Sequence, residues 1–114
     1  IVREWIGETG RVVLVTRGSA GVSIYRGTSR LDVPSRKINV VDTVGAGDTF
    51  CANLLGQLSD VDALGAYAFD RLENLTDETL IEFVRIAGVA ASITCERAGC
   101  EPPTLADLNA VLNA

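Results

Sequence analysis

The stretch Val40-Val41-Asp42-Thr43-Val44-Gly45-Ala46-Gly47-Asp48-Thr49-Phe50 holds the residue types and spacing most able to do chemistry. A β-branched run ends, a Gly-Ala-Gly loop follows, and helix-forming residues begin. Glycines let the backbone take dihedrals closed to other residues and let a ligand approach the amides. The unpaired N–H groups of a first helical turn, with the positive end of the dipole, form an anion site. A carboxylate beside such a site is what phosphoryl transfer to an alcohol requires. Asp48 would accept the proton of the attacking hydroxyl, and the amides of Ala46, Gly47 and their neighbours would stabilise the transferring group. Two other phosphate-binding patterns fit less well. A dinucleotide G-x-G-x-x-G loop needs Gly or Ala where Phe50 stands, and Asp48 would face the pyrophosphate. A P-loop needs a Lys directly after its glycines, and none follows here. From these residues alone a plainer reading stays open: Asp48 as a helix N-cap and the glycines as a turn.

The flanking sequence must position this loop. Val12-Val13-Leu14-Val15-Thr16 is apolar without alternation and predicts a strand covered on both faces, as in a parallel sheet. Arg17 to Gly21 reads as a turn, Val22 to Tyr25 as a half-buried alternating strand, and Leu31 to Val33 as a short strand stopped by Pro34. Ile38 to Val41 is the last expected strand. Helical spacing then takes over at Thr49–Leu58 and Val61–Leu72. A third helix is capped by Thr76, carries Asp77 and Glu78 in its first turn, and runs to about Cys95. Its later half, Ala87 to Ser92, has small residues on every side. Thr104 caps a closing helix with Leu105, Leu108, Val111 and Leu112 on one face. Residues 1–10 read as a helix end with Gly10 as its stop. Strands followed by helices predict part of an α/β layered fold with an incomplete sheet.

Composition narrows the function classes. The chain has 114 residues, and ten basic against fifteen acidic side chains give a net charge of −5. One domain is expected, large enough to bury roughly two-thirds of its unfolded surface. The acidic balance and a single lysine, Lys37, argue against a nucleic-acid surface. The absence of His excludes His-based triads and His metal sites. Cys51, Cys95 and Cys100 lack CxxC spacing and read as reduced, buried small hydrophobes, which points to the cytoplasm. No apolar run approaches the ~20 residues of a membrane span. The chain starts at Ile1 without Met and without a signal-peptide pattern, and is expected to be a piece of a longer protein. Arg17 and Arg97 are candidate phosphate contacts beside the plainer role of turn residues.

Residues 42–50 resemble the D-T-x-G-A-G-D signature of the ribokinase-like (PfkB) carbohydrate kinases. Thr16-Arg17-Gly18-Ser19-Ala20-Gly21 is similar to that family's T-x-G-x-x-G nucleotide loop. The Ala-rich helix running into Thr94-Cys95-Glu96-Arg97-Ala98-Gly99-Cys100 and Pro102-Pro103 resembles its closing segment, most closely in bacterial fructokinases. The resemblance implies that residues 1–114 are the C-terminal portion of a three-layer α/β/α sandwich. It implies Asp48 as catalytic base, Gly45, Ala46 and Gly47 as the anion hole, and Thr16, Gly18 and Gly21 along the ATP phosphates and ribose. Ala87, Gly88 and Ala91 would lie beside the adenine. Asp42 and Val44, with backbone near Ala98 and Gly99, would surround a monovalent cation such as K⁺, and Mg²⁺ would arrive with ATP. Asn53 departs from the signature, which has a small residue there. The implied reaction is ATP-dependent phosphorylation of a sugar hydroxyl. The alternatives are a non-catalytic nucleotide-binding member and a nucleoside kinase. The N-terminal half, lid and most of the sugar pocket are absent, so these residues alone are expected to be inactive. Many relatives pair through that lid, so a homodimer of the complete chain stays open.

Overall fold

The computed structural model describes Glu4 and residues 12–114. The expected helix end at residues 1–10 falls, Glu4 apart, outside the described residues. Three strands, β1 (Val12–Thr16), β2 (Val22–Arg26) and β3 (Ser29–Val33), form an antiparallel sheet in that order. Four helices follow: α1 (Ala46–Asp60), α2 (Ala68–Asn74), α3 (Asp77–Cys95) and α4 (Leu105–Leu112).

β1 is the expected strand, but its neighbour β2 runs antiparallel and its residues are only partly covered. The connection Arg17–Gly21 explains the direction: a parallel crossover needs about a dozen residues, and this hairpin link is far shorter. β2 was expected to alternate, yet Val22, Ser23 and Ile24 are all buried. Val22 and Ile24 face the helices. Ser23 faces the other way, where its hydroxyl donates to Asp32 Oδ1 at 2.5 Å and accepts from Arg17. A polar cluster on β3 thus covers a polar side chain on β2, and the Ser23 hydroxyl is the main reason the Asp32 carboxyl sits below its ordinary range.

Two expected elements change. Ile38–Val41 is not a strand, because no strand lies beside it among the described residues to pair with its backbone. Val40 and Val41 are 59% and 62% exposed. The expected helix Val61–Leu72 shrinks to α2. Asp62 and Gly65 take positive φ values of 56° and 95°, and the chain turns there before the helix starts.

The core lies between the sheet, α1 and α3. Val22, Ile24 and Val33 meet Phe50, Leu54 and Leu58 of α1 and Leu80, Val84 and Ala87 of α3. Ile24 and Val84 are completely buried, which contributes roughly 2 kcal/mol each from apolar area alone. A smaller cluster joins Val89, Ala90 and Ile93 of α3 to Leu108 of α4. Leu105, expected on the same face, is 72% exposed instead. Thr76 caps α3 by accepting from the Thr79 amide, and Thr104 caps α4 in a reciprocal capping box with Asp107. No described helix is long and apolar enough to cross a membrane. Cys51 and Cys100 are exposed and Cys95 partly covered, so the expectation of three buried cysteines fails.

Arg26 closes the far end of the fold. Its Nη1 donates to the Leu75 carbonyl at 2.6 Å, and its Nη2 to the Leu72 and Glu73 carbonyls at 2.9 and 2.6 Å. The guanidinium therefore satisfies the Glu73 and Leu75 carbonyls at the C-terminus of α2, shares the Leu72 carbonyl with the Leu75 amide, and complements the dipole there. Arg26→Ala should lower stability by about 1–3 kcal/mol, the scale for charge-assisted hydrogen bonds, read as a lower urea midpoint at unchanged m-value.

Candidate functional site: a glycine-lined cleft at the start of α1

A cleft of about 570 Å³ opens between the β1–β2 turn, residues 35–43, the start of α1 and the flank of α3. Thr16, Gly18 and Gly21 form one wall, Ala46 and Gly47 the mouth, and Gly88 and Ala91 the opposite wall. The small-residue half of α3 thereby receives a division of labour. Ala87 turns into the main core at 0% exposure and Ala90 packs toward α4, which leaves Gly88 and Ala91 to line the cleft. Of the three residues expected beside an adenine, Ala87 is the one that does not reach the cleft wall.

Gly45 is the N-cap of α1 with φ 82°, a left-handed conformation that favours glycine. A Cβ on it would lie 2.3 Å from Cys100 Sγ, so the loop after α3 presses against the turn. A Cβ on Gly47 would meet nothing within 4 Å, so packing does not demand glycine there and the backbone lies open to the cleft. The amide of Ala46 donates to the Thr43 carbonyl at 3.3 Å, and that of Thr49 to Gly45 at 2.9 Å. Between them the amides of Gly47 and Asp48 have no backbone acceptor among the described residues. Gly47 and Asp48 are therefore the open donors at the head of α1 among the described residues; both belong to the expected set of Ala46, Gly47 and their neighbours, of which Ala46 is already engaged. The Asp48 side chain is exposed in that first turn and caps no amide, so the plain N-cap reading fails.

Four hydrogen bonds fix this turn. The Cys95 carbonyl, at the C-terminus of α3, accepts from the amides of Val41 and Asp42 at 2.8 and 3.1 Å. Asp42 Oδ1 accepts from the Val44 amide at 2.9 Å and Oδ2 from the Gly99 amide at 3.1 Å. These amides, Val44 first, hold the Asp42 carboxyl below the usual carboxylate range. Inside the fold, Thr49 and Thr94 hydroxyls meet at 3.0 Å and join α1 to α3. Asn53, the departure from the signature, accepts from Gln57, which also donates to the Phe83 carbonyl of α3 at 2.8 Å. Asn53 thus braces α1 from behind and leaves the cleft unobstructed.

The two arginines singled out from sequence do other work. Arg17 is held by Ser23 and Asp32 on the sheet. Arg97 donates to Asp107 Oδ2 at 2.8 Å and to the Pro102 carbonyl, and this pairing draws the Asp107 carboxyl down to about 2. The cleft instead carries Arg36 and Lys37, together with Ser19, Ser35, Thr43 and Phe50, none of which was expected as a site residue. The adjacent basic pair just after Pro34 was the available signal.

The profile of the pfkB family carbohydrate kinases matches residues 2–107. The chain belongs to the pfkB family. It is 41% identical over 58 residues to a fructokinase of Rhizobium leguminosarum bv. trifolii, across 51% of this chain and 18% of that protein. It is 34% identical over 102 residues to a ribokinase of Lactococcus lactis subsp. lactis, across 88% of this chain and 29% of that protein. The fructokinase of Xylella fastidiosa, solved with bound ATP, superposes with a TM-score of 0.81 at 23% identity, over 96% of this chain and 34% of that one. The chain therefore spans less than a third of the length of these two curated relatives. The likeness to the solved structures shows a ribokinase-like fold, of which the three-stranded sheet and its helices are a part.

Proposed function

We propose that these residues form the nucleotide cleft and catalytic base of a kinase that transfers the γ-phosphoryl group of ATP to a sugar hydroxyl, of the fructokinase type. One observation carries the reading. An exposed carboxylate, Asp48, directly follows Ala46 and Gly47, which line a cleft together with Thr16, Gly18 and Gly21, and the amides of Gly47 and Asp48 have no backbone acceptor among the described residues.

In this reading the adenine lies against Gly88 and Ala91, whose lack of bulk leaves room for a flat ring. The ribose and phosphates run along Thr16, Gly18 and Gly21 toward the Gly45–Gly47 turn. The sugar hydroxyl approaches the γ-phosphorus in line, and Asp48 takes its proton as the new O–P bond forms and the bond to the β–γ bridging oxygen breaks. The amides of Gly47 and Asp48, with the α1 dipole behind them, stabilise the negative charge on the transferring group.

Among the described residues no group of three or more acidic or cysteine side chains could cage a metal ion. Mg²⁺ would therefore be held by the nucleotide's own phosphates, where it neutralises their charge. Asp42 draws residues 42–44 toward Gly99, and the donors there are oxygens with one negative charge. That set suits a monovalent cation such as K⁺, held by Asp42 and by backbone carbonyls including that of Val44, and the ion would add positive charge behind the anion site.

The complete natural chain carrying this sequence is expected to consume ATP only in the presence of an acceptor. A coupled assay of ADP release against fructose, ribose and inosine tests this. Fructose-dependent turnover well above the others fits the proposal. Turnover with inosine alone makes the protein a nucleoside kinase, and ATP binding without any acceptor-dependent turnover makes it a non-catalytic binding member.

A further inference from the structure

The chain carries a net charge of −5, yet no acidic side chain among the described residues lines the cleft. Two cationic residues do, Arg36 and Lys37. Arg36 is engaged: its Nε donates to Ser92 Oγ at 3.1 Å and its Nη2 pairs with Glu96. Lys37, the chain's single lysine, is exposed and has no ion-pair partner among the described residues. The neighbouring Ser35 hydroxyl donates to the Gly18 carbonyl at 2.8 Å, so this segment is pinned to the β1–β2 turn on one side and, through Arg36, to α3 on the other.

We propose that Lys37 binds the polyphosphate of the nucleotide directly, so that the cleft selects nucleoside di- and triphosphates over the uncharged nucleoside. The proposal rests on the nucleotide reading of the cleft. The physical case is one of charge and reach. An ammonium on a flexible four-carbon stem is a mobile point charge that suits phosphate oxygens. A cleft wall that carries cations, with no acid lining it among the described residues, focuses its field on an incoming anion. Arg36 fixes the backbone from which Lys37 extends, so little of that reach is lost to motion of the segment.

Calorimetric titration of ADP and of adenosine into the complete natural chain tests the proposal, with wild type, Lys37→Gln and Lys37→Arg compared at low and high salt. Lys37→Gln should weaken ADP about 5–20-fold, the scale of a charge-assisted contact. Adenosine affinity should not change. Lys37→Arg should keep ADP affinity within about threefold, since the charge remains. The salt dependence of ADP binding should flatten in Lys37→Gln, because one screened attraction is gone. ADP affinity unchanged in Lys37→Gln, or an equal loss for adenosine, overturns the Lys37 assignment while leaving the nucleotide cleft standing. A wild-type chain that binds neither ligand overturns both.

Discussion

Asp48→Asn in the complete natural chain should lower kcat by about 10²–10⁴-fold, the range for removal of a general base. The substitution keeps shape and hydrogen-bonding capacity while removing the proton acceptor. Asp48 is exposed in the first turn of α1, and no side-chain cap depends on it. The folding cost is limited to the carboxylate's interaction with the helix dipole, about 0.3–1 kcal/mol. ADP affinity should therefore hold steady, or rise slightly as a negative charge leaves the phosphate site. The loss should appear in kcat and kcat/KM together, the pattern of an interaction made only in the transition state. Steady-state kinetics with the preferred sugar, alongside ADP titration, gives both numbers. A variant with near-normal kcat would mean that another group takes the proton.

Gly21→Ala should be the most damaging single change to the fold. Gly21 has φ 91° and ψ −151°, a region essentially closed to residues with a Cβ. A Cβ there would also lie 2.1 Å from the Val33 carbonyl oxygen and 3.1 Å from Pro34 Cα. These are backbone atoms at the end of β3, so no side-chain rotation relieves the contact. Val33 itself is buried and pairs with Val22, which spreads the displacement into the core. The expected loss is about 2–4 kcal/mol, a dihedral penalty plus a forced shift of packed backbone. Because Gly21 lines the cleft, nucleotide affinity should fall with stability. Gly18→Ala offers the contrast. Gly18 also has positive φ, 54°, but nothing lies within 4 Å of an added Cβ, so the cost is the milder left-handed strain alone. Urea unfolding of the two variants should separate them clearly, and equal midpoints would refute the contact argument.

The turn at the head of α1 was legible in this sequence from local chemistry, whereas some of the elements around it were not. Gly45-Ala46-Gly47-Asp48 announces itself because turn, helix start and carboxylate fall within one short segment, and local physics alone brings them together. The caps Thr76 and Thr104 were readable for the same reason. The direction of β1 was misjudged because an apolar run without alternation describes burial and not partner direction; the short link to β2 decided it. Ile38–Val41 has strand composition, but a strand also needs a neighbour, and composition cannot supply one. The helix expected at Val61–Leu72 overlooked Gly65, whose positive φ breaks the segment before Ala68. Arg17, a candidate phosphate contact, and Arg36, for which no role was expected, are both placed by contacts distant in sequence. Ser23 and Asp32 hold Arg17 to the sheet, while Ser92 and Glu96 draw Arg36 to the cleft wall. Within the expected set of Ala46, Gly47 and their neighbours, the open amides among the described residues are those of Gly47 and Asp48. The Thr43 carbonyl accepts from Ala46, a detail of turn geometry that residue types do not encode.

The most direct measurement is a crystal structure of the complete natural chain with its sugar, ADP and aluminium fluoride, a mimic of the phosphoryl group in flight. The account expects the Asp48 carboxylate within about 3.2 Å of the attacking hydroxyl, hydrogen-bond reach for a base. It expects the amides of Gly47 and Asp48 about 3 Å from the fluoride atoms. A hydroxyl met by a different base, with Asp48 facing solvent and the α1 amides unoccupied, would contradict it.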